Sequence, residues 1–212
     1  MQVYRPIALL LCAACSGKTP FPPGLAPLED NQAPWPSEGS ETIELAFGEV
    51  DGGESYTWGH ARGYVRRPLS AVYATLVKPR VSANRRSLTE YTVEQNVEDY
   101  PHSYALHNRV EDAINLEFTV IWRHGSLDGD EEAPEEVGSR WQKTEGSEVI
   151  AVNRGSVYSW AFDDRTTALE FVIHQDSWGD DREILRESLE DYYADILASS
   201  HGRPLPEYES GL

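Results

Sequence analysis

The sequence predicts one folded domain of the α+β class, preceded by an N-terminal leader and a proline-rich segment. Three observations lead to this prediction. Apolar residues between 55 and 176 mostly alternate with polar ones, which is typical of half-buried strands. A short helical pattern follows Pro68, a residue that suits the first turn of a helix. A long helical pattern ends the domain, and its apolar face comprises Leu185, Leu189, Tyr192 and Ile196.

The predicted order is strand, helix, six strands and a long helix. The first strand covers residues 56–67 and the first helix residues 69–77, which Pro79 closes. The final helix begins near Asp180 or Asp181, good N-cap residues, and Gly202 and Pro204 end it. The six strands between the helices are predicted at 90–98, 103–110, 115–124, 137–144, 148–162 and 166–176.

The first fifteen residues have the layout of a secretory signal. One basic residue, Arg5, precedes a short apolar run and two small residues before Cys15. The run from Cys12 to Ser16 resembles the bacterial lipoprotein box, which implies cleavage before Cys15 and acylation of its thiol. Two alternatives are plain secretion and a redox or metal pair formed by Cys12 and Cys15. The expected location is therefore the cell envelope, anchored to the membrane by lipid, and the outer membrane if the source is Gram-negative.

Residues 16–40 hold six of the 13 prolines and no apolar periodicity. Proline at this density favours extended, hydrated chain, so we expect a disordered tether. The alternative is an arm that packs on the domain through Phe21 and Trp35. The predicted organisation is a signal peptide at 1–14, a lipid-anchored tether at 15–54, the folded domain at 55–202 and a tail at 203–212.

Charge and cysteine content exclude several classes of protein. The formal net charge of -18 excludes a nucleic-acid binder that works by general electrostatics. Both cysteines lie within the first fifteen residues, so the folded part has no internal disulfide and no thiolate metal site. No apolar run reaches the ~18 residues that a membrane-spanning helix requires.

Three stretches of the sequence resemble the START-like, helix-grip superfamily of lipid-transfer domains, polyketide cyclases and plant ligand-binding proteins. Residues 63–76 resemble its opening strand, turn and helix, residues 166–174 its penultimate strand, and residues 185–197 its closing helix. The resemblance implies a curved antiparallel sheet that grips the long C-terminal helix, with an apolar cavity between them. The alternative fold is a lipocalin-like or other β-barrel, which the long final helix disfavours.

No metal site, cofactor or catalytic motif is predicted. The six histidines include no HExxH motif and no i, i+4 helical pair. His60 and His174 lie on predicted strands and could face the cavity, although structural roles are commoner for such residues. An acidic run over residues 128–136 lacks EF-hand spacing, so a solvated hairpin loop is favoured over a calcium site.

Residues 55–89 contain no Asp or Glu but seven basic residues. This basic stretch either faces anionic headgroups or an acidic ligand, or pairs internally with acidic strands such as residues 90–99. Its members are Arg62, Arg66, Arg67, Lys78, Arg80, Arg85 and Arg86.

The sequence favours a lipid-anchored envelope protein that binds or carries a hydrophobic or anionic amphipathic ligand. The alternatives are a cyclase- or hydrolase-type enzyme in the same cavity, for which no acid–base pair can be placed, and an envelope scaffold. Tyr104, Tyr158 and His174 are candidates for orienting the ligand. The predicted binding residues are Arg66, Arg67, Arg85 and Arg86 for an anionic head, and Trp122, Trp160, Phe171 and His174 for the apolar part.

Overall fold

The computed structural model describes residues 18–111, 115–179 and 181–208. The predicted signal peptide and Cys15 lie outside these residues. Three helices are described: α1 (Leu69–Leu76), α2 (Pro79–Ser82) and α3 (Asp181–Ser200). The eight strands are β1 (Ile43–Val50), β2 (Tyr56–Val65), β3 (Glu90–Gln95), β4 (His102–Glu111), β5 (Asn115–Asp130), β6 (Ala133–Gly146), β7 (Ile150–Asp163) and β8 (Thr166–Ser177).

All eight strands belong to one antiparallel sheet in the order β1-β2-β8-β7-β6-β5-β4-β3. Consecutive strands from β3 to β8 are joined as neighbours, whereas β2 pairs with β8. The chain therefore crosses from β2 to the far edge of the sheet through α1 and α2. The α+β class and the curved antiparallel sheet with a long C-terminal helix are confirmed.

The predicted strands and helices are all present, and one strand was missed. β1 pairs with β2 along the whole of Ile43–Val50 and forms one edge of the sheet. Ile43, Leu45 and Phe47 occupy every second position and pack against the core, and this spacing is the signal that predicts such a strand.

The main core lies between α3 and one face of the sheet, which we call the inner face. Leu185, Leu189 and Ile196 are almost fully buried there, with Leu169 and Phe171 of β8 opposite them. The large apolar residues whose alternation predicted β8 therefore face α3, the long helix that the sequence also predicted. Among the described residues, no helix is both long and apolar enough to cross a membrane.

Residues 18–36, here called the strap, lie across the outer face of the sheet. Leu25 and Ala33 are buried, and Trp35 stacks on Tyr64 with 5.0 Å between ring centroids. Strap carbonyls accept hydrogen bonds from side chains of the sheet, among them Arg123 to Pro22, Arg140 to Ala26 and Gln142 to Pro20.

This arrangement corrects the tether predicted at residues 15–54, as far as the structure describes it. Residues 18–36 pack on the sheet, and residues 43–50 belong to it. The prolines favour an extended chain as expected, but the backbone oxygens of that chain bind to the sheet instead of water. The alternative interpretation, an arm packed through Phe21 and Trp35, is the one the structure shows: Phe21 lies 3.5 Å from the Arg123 guanidinium.

Candidate functional site

A cavity of about 270 Å³ lies between the inner face of the sheet and the segment formed by α2, the following loop and α3. Its size is near the lower end of the range for small-molecule sites, roughly 300–1,000 Å³. The walls are mainly apolar, so burial of an apolar ligand there is favourable. The apolar walls are formed chiefly by Leu106, Phe118, Val120, Trp122, Trp141, Ile173, Leu185 and Tyr192.

Among the residues that the structure describes, four polar side-chain atoms of residues around the cavity are fully buried and have no hydrogen-bond partner. They are Nε1 of Trp122, the hydroxyl of Tyr192 and the Oδ1 atoms of Asn84 and Asn108. Trp122, Tyr192 and Asn108 are at least nine-tenths buried. A buried polar group without a partner costs about 1–3 kcal/mol. Because these atoms have almost no accessible surface, that cost falls on the stability of the fold, and the atoms do not mark ligand contacts.

A chain of buried hydrogen bonds lies beside the cavity. His124 Nδ1 is 2.8 Å from Ser139 Oγ, and His124 Nε2 is 3.1 Å from the Tyr104 hydroxyl. The Tyr104 hydroxyl in turn donates to Ser82 Oγ at 2.6 Å. Burial lowers the pKa of His124 to about 3, so the ring is neutral and a weak base at neutral pH. The chain satisfies buried polar groups and supplies no evident general base.

Arg85 of the basic stretch lines the cavity mouth, and its neighbour Arg86 binds Asp191, which also lines it. Both arginines are thus paired with aspartates of α3. Arg85 Nη2 lies 2.6 Å and 2.7 Å from the two carboxylate oxygens of Asp195, and Arg86 Nε lies 2.7 Å from Asp191. The predicted tail contributes as well: Arg85 donates to the Pro206 carbonyl at 2.8 Å, and Tyr208 donates to Asp195 at 2.7 Å. The mouth is therefore an internally neutralised cluster.

Four of the seven basic residues of this stretch thus pair with acidic side chains of the same chain, which is the second of the two interpretations that the sequence left open. Arg62 pairs with Glu170 at 2.7 Å and Arg66 with Glu41 at 3.1 Å, so internal pairing dominates. The acidic partners come from the strand and helix on either side and from residue 41, not from residues 90–99. Arg67 is exposed and does not line the cavity.

The structure brings together only part of the predicted binding set. Trp122 forms a cavity wall and Arg85 the mouth. Phe171 is buried in the inner core against Tyr192, with 5.6 Å between ring centroids, but does not line the cavity. Trp160 lies on the outer face, 5.5 Å from Trp35 of the strap.

Of the residues predicted to orient the ligand, only Tyr104 lies near the cavity. Tyr104 is buried beside the cavity, and its hydroxyl donates a hydrogen bond to Ser82. Tyr158 lies on the outer face beside Trp160. Sequence reasoning missed Asn84 and Asn108 as wall residues. A polar residue among the inward-facing positions of β4 is the signal that could have identified Asn108.

His174 and His60 also lie on the outer face, outside the cavity. Both are nearly fully buried beneath Glu29 of the strap, whose Oε1 lies 2.9 Å from His60 Nε2 and 3.2 Å from His174 Nε2. Burial lowers the pKa of both rings, so both are neutral at neutral pH. The expectation that they face the cavity is wrong, because their register on β2 and β8 turns them to the opposite side.

These three residues are the only cluster of potential metal ligands in the part of the chain that the structure describes. Their hydrogen bonds argue against metal binding. His60 Nδ1 accepts from the Gln32 amide at 2.9 Å, and His174 Nδ1 accepts from Arg154 Nε at 3.2 Å. Both protons therefore belong on Nε2, facing Glu29, whereas a metal-ligating histidine donates from its other nitrogen. His60, which binds both Glu29 and the Gln32 amide, instead holds this part of the strap on the sheet.

The sequence matches no protein-family model and no curated protein. Among solved structures, the human StarD13 (DLC2) lipid transfer and protein localization domain matches with a TM-score of 0.52. The match covers 76% of this chain and 83% of that domain at 14% identity. The fold is the START-like helix grip.

Two further solved structures match with lower TM-scores. The Zhui aromatase/cyclase from Streptomyces sp. R1128 matches with a TM-score of 0.42 and 16% identity over 76% of this chain and 93% of that one. A conserved protein from Geobacillus kaustophilus matches with a TM-score of 0.47 and 10% identity over 68% and 95% of the two chains. At such identities the likeness concerns the fold, and the site must be argued from this chain's own residues.

Proposed function

We propose that this protein binds one small hydrophobic or amphipathic molecule between α3 and the inner face of the sheet. The observation that carries the proposal is the 270 Å³ cavity with mainly apolar walls between α3 and the inner face. Apolar area supplies the affinity of such a site, and a few polar groups set orientation. The likeness to a domain named for lipid transfer supports the same function.

A cyclase- or hydrolase-type enzyme in this cavity is less well supported. The histidines considered for catalysis, His60 and His174, lie on the other face of the sheet. His124 is nearer, but its lowered pKa and its two hydrogen bonds leave it poorly suited to take a proton at neutral pH. A scaffold role would not account for an apolar cavity of this size.

The test uses N-phenyl-1-naphthylamine, a neutral fluorescent probe, with the purified chain. We expect its emission to rise on binding. The Val120→Phe substitution fills the cavity from its wall and should weaken binding at least tenfold. The matched control is Ile121→Phe, which adds a ring to the same strand on the opposite face and should bind as the unmodified chain does. Absence of probe binding to the unmodified chain would contradict the proposal.

We propose further that the mature chain is anchored to the cell envelope by lipid on Cys15. The support is the sequence of the leader, with two small residues before Cys15 and an apolar run before them. Two or three acyl chains would anchor the protein stably, at about 0.8 kcal/mol per buried CH₂. If the source is Gram-negative, Ser16 in place of an aspartate favours the outer membrane.

The anchor is tested by expression in a bacterial host fed labelled palmitate. We expect the unmodified chain to carry label and to sediment with membranes. Cys15→Ser should abolish labelling and leave the leader uncleaved, or release the protein from membranes. Cys12→Ser is the control and should be labelled normally. Loss of label from Cys12→Ser with retention in Cys15→Ser would contradict the assignment of Cys15.

A further inference from the structure

The chain reverses its direction after α3 and returns to the cavity mouth. Gly202 has a left-handed φ of 69°, a conformation that glycine commonly adopts just after the end of a helix. Its amide donates to the Ser199 carbonyl at 3.0 Å, and the Arg203 amide donates to the Ala198 carbonyl at 2.8 Å. These two bonds form a Schellman motif, which ends the helix. Residues 203–208, here called the C-terminal segment, then run back alongside α3.

Tyr208 of the C-terminal segment lines the cavity and contacts all four residues of the ionic cluster at its mouth. Its hydroxyl lies 2.7 Å from Asp195 Oδ1 and 3.0 Å from the carbonyl oxygen of Asp191. The guanidinium groups of Arg85 and Arg86 lie 5.0 Å and 5.1 Å from its ring centroid, a cation–π arrangement that is attractive. Burial and the neighbouring Asp195 raise the pKa of Tyr208, so its hydroxyl keeps its proton and remains a donor.

The other side of the mouth, the loop after α2, is firmly fixed to α3. Arg85 binds both carboxylate oxygens of Asp195, and Asp195 is almost fully buried. Asn84 adds a hydrogen bond of 3.1 Å to Ser188. Because removal of one partner from a buried charge pair is costly, this loop is not the part of the mouth that opens readily.

The C-terminal segment is held more loosely than the loop. Besides the contacts of Tyr208, its Pro206 carbonyl accepts from Arg85 at 2.8 Å, and Leu205 is partly buried against the core. Its remaining residues are exposed: Arg203, Pro204 and Glu207. Segments with few buried contacts open at the lowest cost in free energy, so this segment opens before the loop does.

Opening of the C-terminal segment leaves no buried charge of the cluster without a partner. Arg85 keeps both oxygens of Asp195, and Arg86 keeps those of Asp191. The Tyr208 hydroxyl passes into water, which replaces its hydrogen bonds. The open and closed positions therefore differ by a few hydrogen bonds and the ring contacts, and the core is the same in both.

We infer that the C-terminal segment is a lid on the cavity, and that release of Tyr208 from the ionic cluster lets the ligand enter and leave. This inference rests on the proposed function and concerns how the same site is opened. The structure shows the closed position, with Tyr208 at the mouth. The lid turns at Gly202, whose backbone is free of the limits that a Cβ imposes, while the loop after α2 stays on α3. Lids of this kind control the rate of exchange at many binding sites.

The test measures the association and dissociation rate constants of N-phenyl-1-naphthylamine with the full chain by stopped-flow fluorescence. Tyr208→Ala removes the ring and the hydroxyl together, so both rate constants should rise at least about tenfold. The association rate constant is decisive, because loss of a mere ligand contact would raise the dissociation rate constant alone. Glu207→Ala, at the exposed neighbouring position, is the control and should keep both rate constants of the unmodified chain.

Tyr208→Phe separates the hydroxyl from the ring. This variant keeps the ring beside Arg85 and Arg86 and loses the hydrogen bonds to Asp195 and Asp191, so both rate constants should rise by a smaller factor, about two- to fivefold. Thermal unfolding checks that each variant is folded. The milder change keeps the test decisive if Tyr208→Ala does not fold.

The outcomes separate the two proposals. Unchanged rate constants in both Tyr208 variants would overturn the lid while the cavity remained a binding site. Faster dissociation with unchanged association would also overturn it and would make Tyr208 a ligand contact. No binding of N-phenyl-1-naphthylamine to the unmodified chain would instead overturn the proposed function.

Discussion

Asn31 Nδ2 donates a hydrogen bond of 2.8 Å to the backbone oxygen of Phe171, a residue 140 positions later in the chain. The same amide group lies 3.1 Å from the Ala61 oxygen, so one strap side chain binds both of the neighbouring strands β2 and β8. The Asn31 side chain also orders the strap itself, because its Oδ1 accepts from the Ala33 amide at 2.9 Å. These contacts make the strap part of the fold.

Asn31→Ala should therefore destabilise the domain. Removal of a buried amide that makes three hydrogen bonds is expected to lower the free energy of unfolding by on the order of 2 kcal/mol. Urea unfolding measures the change. The matched control is Gln32→Ala, the next residue of the strap, whose side chain is exposed and should contribute less than about 0.5 kcal/mol. Equal effects of the two substitutions would show that the strap does not depend on Asn31.

The sequence predicted the sheet and helices well because their apolar periodicity is local. Leu169, Phe171 and Ile173 alternate within five residues, and that pattern is sufficient to place one face of β8 on the core. The strap could not be predicted in this way, since its contacts are backbone oxygens bound by distant side chains such as Arg123 and Arg140. Its proline content predicts an extended chain, and the strap is extended. Composition does not predict that this extended chain packs on the outer face of the sheet.

The sequence predicted a site residue correctly only where the alternation of apolar and polar residues in its strand showed which face of the sheet the side chain is on. Trp122 lies in a clear alternation and does line the cavity. Arg85 and Arg86 stand in an acid-free stretch, and nothing local reveals aspartates more than 100 positions away. Trp160 and His174 were assigned to the correct strands but to the opposite face, because a strand with apolar residues on both sides does not show which side is covered by a helix.

Stability should fall as the pH is lowered from about 7 towards 4.5. Burial lowers the pKa of His60, His124 and His174 below the ~6.5 of an unfolded histidine. The unfolded chain thus binds more protons in this range, so the stability present above about pH 6.5 is lost as the pH falls. For His124, with a pKa of about 3, the loss at pH 4.5 is on the order of 2 kcal/mol.

Thermal unfolding of a His124→Gln variant isolates that contribution. The variant starts less stable, because it loses part of the bonding to Ser139 and Tyr104, but its stability should fall less steeply between pH 7 and 4.5. His107→Gln, at an exposed position of β4, is the control and should keep the slope of the unmodified chain. Identical slopes for His124→Gln and the unmodified chain would contradict a buried, neutral His124.

Arg85→Gln should act on stability and not on the salt dependence of ligand binding. The substitution leaves the Asp195 carboxylate, 3% exposed, without its counter-charge. Removing one partner of a buried pair costs about 3–5 kcal/mol. Arg80→Gln changes an exposed arginine of the same basic stretch and should cost less than about 0.5 kcal/mol. Unchanged stability of Arg85→Gln, with salt-sensitive binding lost, would restore Arg85 as a ligand-binding residue.

Gly155 should be needed to keep Trp141 in place as a cavity wall. The two residues face each other across β6 and β7, and a Cβ on Gly155 would lie 2.0 Å from the Trp141 ring. Trp141 is stacked on Trp122 with 4.4 Å between centroids, so it has little room to move. Gly155→Ala should cost about 1–3 kcal/mol through overpacking and weaken binding of N-phenyl-1-naphthylamine, because the displaced ring enters the cavity.

A double-mutant cycle checks that this cost comes from the indole. Adding Trp141→Leu to Gly155→Ala should return part of the lost free energy, so that the two substitutions are coupled by more than about 0.5 kcal/mol. Gly53→Ala is the control, since a Cβ there would meet nothing within 4 Å. Strictly additive effects of the two substitutions on the free energy of unfolding would mean that the Trp141 ring does not pack against Gly155. The position of the cavity wall would then depend on Trp122 and Tyr192 instead.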